Sequence, residues 1–235
     1  MKAKIKKLAK PLSSIVMTVL VLSLVLTGCI SFEVDTSVDN SISGVNEDNN
    51  LLNVKEQISV EIAEFTWEGD KYAGALIQNK SNKQIGELEI QFLFYDSDDN
   101  IIGTSSDGHD AILPGSTVVS FVSDIDVPQN YHHIDYKLEV DVEANSGYIN
   151  HTEEIDMKTN IGEDCVILQI KNNADITIEE LEYAVVFYKN DKIVDMTNGT
   201  DVYDIKPGDT VIEECSSWGV DYDTYKVFIN QAHTF

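Results

Sequence analysis

The chain has 235 residues, with 16 Lys and no Arg against 41 Asp and Glu, for a formal net charge of −25. A field of that sign repels nucleic acid and anionic lipid headgroups, so a nucleic-acid partner is excluded, while basic partners and cations are favoured and a solvated acidic surface accounts for the charge equally well. Apolar residues make up 43% of the chain, with ten Tyr and eight Phe, too many for a disordered polymer and enough to bury a core.

In chain order, the first segment reads as a targeting signal. Lys2, Lys4, Lys6, Lys7 and Lys10 precede an apolar run from Ile15 to Leu26. That run is shorter than the roughly 20 residues of a membrane-spanning helix, and it ends in small residues before a cysteine, as a cleaved signal does. Leu26-Thr27-Gly28-Cys29 resembles the lipobox of bacterial lipoproteins. The resemblance implies diacylglycerol on the Cys29 thiol, cleavage just before it, and residence on the extracytoplasmic face of the cell membrane. Loss of residues 1–28 with their five lysines would take the net charge from −25 to −30. Residues 29–53, rich in Ser, Asp and Asn and without a sustained period, read as a flexible tether.

Strand patterns begin at Gln57. Ile58-Ser59-Val60-Glu61-Ile62 alternates apolar and polar residues, as a half-buried strand does. Further strands are expected at Tyr72 to Gln78, Leu88 to Phe94, from Ile101, at Thr117 to Val122 and at Tyr136 to Val142, with turns at Asp96–Asn100 and Leu113-Pro114-Gly115. Glu179 to Phe187 has helix-compatible composition, but its β-branched and aromatic content argues for strand. The pattern then repeats. Ile77-Gln78-Asn79 returns as Ile170-Lys171-Asn172, Glu87-Leu88-Glu89 as Glu180-Leu181-Glu182, Phe94-Tyr95 as Phe187-Tyr188, and Pro114-Gly115 as Pro207-Gly208, each 93 residues later. A period this long suits duplication of a whole domain. The expectation is an all-β chain of two tandem antiparallel β-sandwiches of immunoglobulin-like form, 54–145 and 146–235, divided near Ala144-Asn145-Ser146-Gly147.

Phe92-Leu93-Phe94-Tyr95-Asp96, then Ile101-Ile102-Gly103, Leu113-Pro114-Gly115 and Phe121, resembles the FxLYD-type domain of bacterial and archaeal extracytoplasmic proteins. The second copy departs from that pattern: Val185-Val186-Phe187-Tyr188-Lys189 lacks the first aromatic and has Lys189 at the acidic position, but keeps Pro207-Gly208. The resemblance implies a small β-sandwich outside the cell and no reaction.

Candidate chemistry is sparse. Asp96, Asp98, Asn100 and Asp107 fall at positions 1, 3, 5 and 12 of a calcium-loop spacing, a candidate cation turn, although Ile101 stands where such a loop needs Gly. Cys165 and Cys215 are expected on strands of the second copy, either bridged, as an oxidising exterior permits, or as two buried free thiols. His132 and His133, adjacent on a strand, would point to opposite faces and not share an ion, and no Cys/His cluster has zinc spacing. Trp67 and Trp218 are candidates either for a ligand platform or for core packing, and Glu153-Glu154 and Glu213-Glu214 are acidic pairs of the kind an acidic chain produces by chance. No nucleophile elbow, zinc-protease, phosphate-loop or dinucleotide motif is present. The expected function is therefore a non-catalytic binding or spacer module for a protein or envelope component, without cofactor. The alternative is a substrate-capturing lipoprotein that takes a sugar or a cation in a pocket containing Trp67 or Trp218.

Overall fold

Strand-forming sequence dominates the computed structural model, which describes residues 54–235 apart from 124, 144–146, 148, 164, 198–199, 218 and 235. Cys29, the segments 1–28 and 29–53, the expected boundary at 144–146 and Trp218 lie outside the described residues. In order, the strands are β1 (Ile58–Trp67), β2 (Asp70–Asn79), β3 (Ile85–Tyr95), β4 (Ile101–Ile112), β5 (Thr117–Val122), β6 (His133–Asp141), β7 (Ile149–Asn150), β8 (Ile155–Ile161), β9 (Cys165–Asn172), β10 (Ile178–Lys189), β11 (Lys192–Met196), β12 (Thr200–Ile205), β13 (Thr210–Ser216) and β14 (Thr224–Thr234). A 3-10 turn, Thr152–Glu154, lies between β7 and β8.

Among the described residues all pairing is antiparallel, in four sheets: β1-β2-β5, β4-β3-β6, β13-β9-β8, and β11-β10-β14-β7, with β12 also on β10. The expected all-β, antiparallel sandwich is the observed fold. Period-2 alternation builds it. Ala73, Ala75 and Ile77 of β2 face Leu88, Ile90, Phe92 and Phe94 of β3 in a first core. Val166, Leu168 and Ile170 of β9 face Leu181, Tyr183, Val185 and Phe187 of β10 in a second.

Inner strands of the two sandwiches are covered on both faces. The residues of β10 that point away from the second core, Ala184, Val186 and Tyr188, pack with Met196 against Ala63, Phe65, Leu76 and Val119 of the first sandwich, forming a third core. The unbroken apolar run Tyr183-Ala184-Val185-Val186-Phe187-Tyr188 has its cause here, since a strand buried on both sides needs no polar alternation. Gly74 makes the approach possible: a Cβ there would lie 2.4 Å from Met196 Sδ and 2.6 Å from the Ser120 carbonyl. Polar groups also cross the seam. Asn230 accepts from the Val119 N–H through Oδ1 (2.8 Å), and its Nδ2 donates to the Val119 carbonyl (3.0 Å) and to Glu182 Oε1 (2.7 Å). The described residues fall within one compact unit.

The two halves share local geometry at the positions that match in sequence. Asn79 and Asn172 are fully buried. Nδ2 of Asn79 donates to the Lys83 and Ile112 carbonyls, and Nδ2 of Asn172 to those of Ile176 and Ile205. Gly115 and Gly208, at φ 81° and 79°, donate to the Asn79 and Asn172 carbonyls. One-residue register shifts follow Phe94 and Phe187 alike. The halves then diverge. β4 runs unbroken along β3, whereas β10 is flanked first by β11, which ends at Met196, and then by β12, which begins at Thr200.

Candidate functional site

The candidate cation turn is a hairpin turn that satisfies itself. Asp96 Oδ1 accepts from the N–H groups of Asp98 and Asn100, both at 2.9 Å, and Asn100 Nδ2 donates to both Asp96 oxygens. These bonds hold the Asp96 carboxyl below its ordinary pKa. Asp107 does not join them. It lies well along β4 opposite Ile90, and six residues of strand at about 3.3 Å each carry it roughly 20 Å from the turn. The four-residue site is thereby corrected: the calcium-like spacing needs a chain that curls back, and here the chain is extended. No group of three or more His, Cys, Asp or Glu side chains placed to hold a metal ion occurs among the described residues.

Cys165 and Cys215 are free thiols, not the bridged pair. Register supplies the reason. Cys215 pairs with Val166, and Cys165 with Ser216, so the cysteines are offset by one residue on neighbouring strands and face opposite sides of the sheet. Cys215 is buried, 3.4 Å from the Tyr183 hydroxyl. Burial pushes its thiol up, away from the reactive thiolate.

The histidines are dispersed. His133 stacks on Tyr95, His151 Nδ1 lies 3.2 Å from Glu154 Oε2, and His233 Nε2 lies 3.2 Å from Glu180. His109 Nε2 meets Ser120 Oγ at 2.8 Å, both residues being buried beside the seam. Desolvation lowers the His109 pKa against the pull of Asp107 and Asp110. Asp107 approaches the same ring nitrogen, at 3.7 Å, whereas a catalytic relay places its carboxylate on the other one.

A cavity of about 560 Å³ opens where the strand edge is interrupted. One wall is aromatic: Phe65 and Trp67 from β1, Tyr72 from β2 and Phe121 from β5. Phe65 and Tyr72 stack at 5.6 Å, Trp67 tilts against Tyr72 at 6.5 Å, and Phe121 lies 6.2 Å from Tyr72. The wall is set by the hairpin turn Glu68-Gly69, both residues at positive φ, as a two-residue turn joining twisted strands requires. The opposite wall comes from the interruption itself, Asp195, Met196, Thr197 and Thr200, and from the end of β13, Glu214, Cys215 and Ser216. Thr197 closes the broken edge, its Oγ1 accepting from the Val185 N–H and its own N–H donating to the Val185 carbonyl, both at 2.8 Å.

Asp195 is the unusual member. It is 6% exposed, its Oδ1 accepts from the Met196 N–H at 2.8 Å, and its Oδ2 is buried without a hydrogen-bond partner. Desolvation pushes its carboxyl up to about 7. Among the described residues, those lining the cavity include no Lys or His. Strand pairing does not call for an acid here, because the position opposite Phe94 in the first half is Gly103, where Phe187 has Asp195. A second depression, of about 710 Å³, is lined by Glu163, Ser217, Asp221 and Asp223 among others. Two of its acids are already engaged: Asp221 pairs with Lys189, and Asp223 accepts from the Asn190 N–H.

The sequence pointed to Trp67 and, through an acidic pair, to Glu214. It did not point to Asp195, whose single signal was a carboxylate inside an otherwise apolar strand, Ile193-Val194-Asp195-Met196. Comparison with protein-family models and with curated proteins finds no match to this chain.

Proposed function

We propose that the chain is a lipid-anchored, extracytoplasmic, non-catalytic binding protein that captures a small ligand in the cavity between its two sandwiches. The observation that carries this reading is the cavity itself. At about 560 Å³ it is of the size that holds small molecules, and it combines an aromatic wall with a few polar groups. Trp67 lines it, as the ligand-capture alternative requires. The anchor rests on the lipobox-like Leu26-Thr27-Gly28-Cys29, and a tandem FxLYD-type body on the matched positions of the two halves. A spacer or envelope-protein partner needs no such cavity.

The test has two arms. Mass spectrometry of the protein from its native cell should find diacylglycerol on Cys29, and unmodified Cys29 would remove the placement. Tryptophan fluorescence of the lipid-free mature chain, screened against sugars and organic cations, should change on binding. Trp67→Phe should abolish that change, and a flat response throughout would remove the capture reading.

A further inference from the structure

We infer that the open edge of β6 pairs with the same edge of a second copy of the chain, antiparallel and two-fold about Tyr136, so that two β4-β3-β6 sheets join into one.

β6 ends its sheet: among the described residues it pairs with β3 and with no other strand. Backbone groups along such a strand point alternately to the neighbour and to the open edge. Three hydrogen bonds fix which do which. The Tyr95 carbonyl accepts from the His132 N–H at 2.7 Å, so the odd-numbered residues of β3 turn toward β6. Their partners Asp135, Lys137 and Glu139 turn back to β3, and the even-numbered residues of β6 turn outward. In agreement, Lys55 Nζ reaches the Leu138 carbonyl at 2.7 Å, and the Tyr136 N–H donates to Asp135 Oδ1 at 2.8 Å. An edge of this kind is a template for another strand, and charged side chains laid over it are a usual guard. Both guards here are exposed side chains, each holding a bond that a ladder would replace.

The molecule already makes one such addition. β14 is the counterpart of β6, since Tyr136-Lys137 matches Tyr225-Lys226 and each pairs with its sandwich's inner strand, β3 or β10. On its other edge β14 carries β7, with Asn150 opposite His233 and Ile149 opposite Thr234.

Register selects a second copy as the occupant. A two-fold axis at Tyr136 makes the contact isologous. Tyr136 then exchanges both backbone bonds with its own copy, and Ile134 with Leu138. The half-buried side chains of Ile134, Tyr136 and Leu138, which pack on the first core, continue as one apolar row across the joint. On the other face Asp135 lies opposite Lys137 twice, and His133 opposite Glu139, so like charges do not face one another and opposite charges meet at the centre. The Asp135 carboxylate, released from the Tyr136 N–H, finds Lys137 of the other copy in front of it. The net charge of −25 opposes association at long range, but at 0.15 M salt it is screened beyond about 8 Å.

The experiment is sedimentation equilibrium of the lipid-free mature chain from micromolar to millimolar concentration, in 0.15 M salt with a reductant that keeps its cysteines unpaired. A reversible dimer should form. Lys137→Glu should weaken it about tenfold, the order expected when two facing opposite-charge pairs become like-charge pairs. The exchange Asp135→Lys with Lys137→Glu should restore it, whereas Lys192→Glu, the same change of charge on an exposed residue of β11, should leave it within twofold. Amide hydrogen exchange at Ile134, Tyr136 and Leu138 should slow as the dimer forms. A monomer throughout, a dimer indifferent to Lys137→Glu, failure of the charge exchange to restore it, or unchanged exchange at those three amides overturns the inference.

Discussion

At the scale of single residues, the burial of Asp195 makes stability depend on pH. Its carboxyl is raised from the ordinary 3.8 to about 7 in the folded protein. Between those values the folded chain holds a proton that the unfolded chain has released, so raising the pH favours unfolding. The contribution of Asp195 is therefore fully present below about pH 4 and is lost as the pH rises through about 7. Asp195→Asn keeps the acceptor for the Met196 N–H and removes the charge. At about 1.4 kcal/mol per pKa unit, discounted for relaxation, the variant should be more stable than the parent by roughly 1–3 kcal/mol at pH 8 and nearly equal to it at pH 4. Urea unfolding at the two pH values measures this, and equal stabilities at pH 8 would show that the carboxylate is not strained by burial.

At the scale of elements, the contact between β2 and β11 sets how closely the two sandwiches approach. Gly74 lies on the face of β2 turned toward the seam, and Met196 fills the space a side chain would take. Gly74→Ala should destabilise the protein by about 1–3 kcal/mol through overpacking. Met196→Ala in the same chain should restore only part of that loss, because the Ser120 carbonyl, 2.6 Å from the new Cβ, belongs to the backbone of β5 and cannot swing away. A double-mutant cycle reads the coupling, and complete rescue would mean that the methionine alone is the obstacle. Hairpin chemistry acts at this scale as well. Asn190 and Asp191 take positive φ between β10 and β11, as Glu68 and Gly69 do between β1 and β2, so each hairpin closes in two residues and fixes the register of the strands that line the cavity.

At the largest scale, the described residues stack three cores through two doubly covered sheets, and the middle core ties the outer two together. Unfolding one sandwich exposes the seam face of the other, so the expected behaviour is one cooperative transition. Ala184 is fully buried in the middle core. Ala184→Arg places an unpaired charge there, at a cost of roughly 3 kcal/mol or more, and leaves the two outer cores untouched. Calorimetry should then show two transitions in place of one. A single, unshifted transition would mean that the seam contributes nothing to cohesion. The cavity belongs to this same scale, since neither sandwich alone supplies both of its walls.

Much of this was legible along the chain. Alternation at Ile58–Ile62 and Leu88–Phe94, turn residues at Asp96–Asn100 and Pro114-Gly115, and matched segments 93 residues apart determined strands, turns and an all-β sandwich, because those features depend on near neighbours and a period of two. The pairing of distant surfaces was decided only in three dimensions. Asp107 was placed in the wrong company because sequence spacing measures contour length and not direction. Cys165 and Cys215 stay apart because a register offset of one residue turns side chains to opposite faces. Asp195 reads locally as one more surface acid; the aromatic wall of the cavity it lines comes from β1, β2 and β5, more than 70 residues away along the chain. The sequence by itself determined the elements and the kind of layer they form, through local propensity and alternation. The tertiary structure alone decided which faces meet and which carboxylate is shut away from water, because desolvation and packing are set by whatever the folded chain brings from afar.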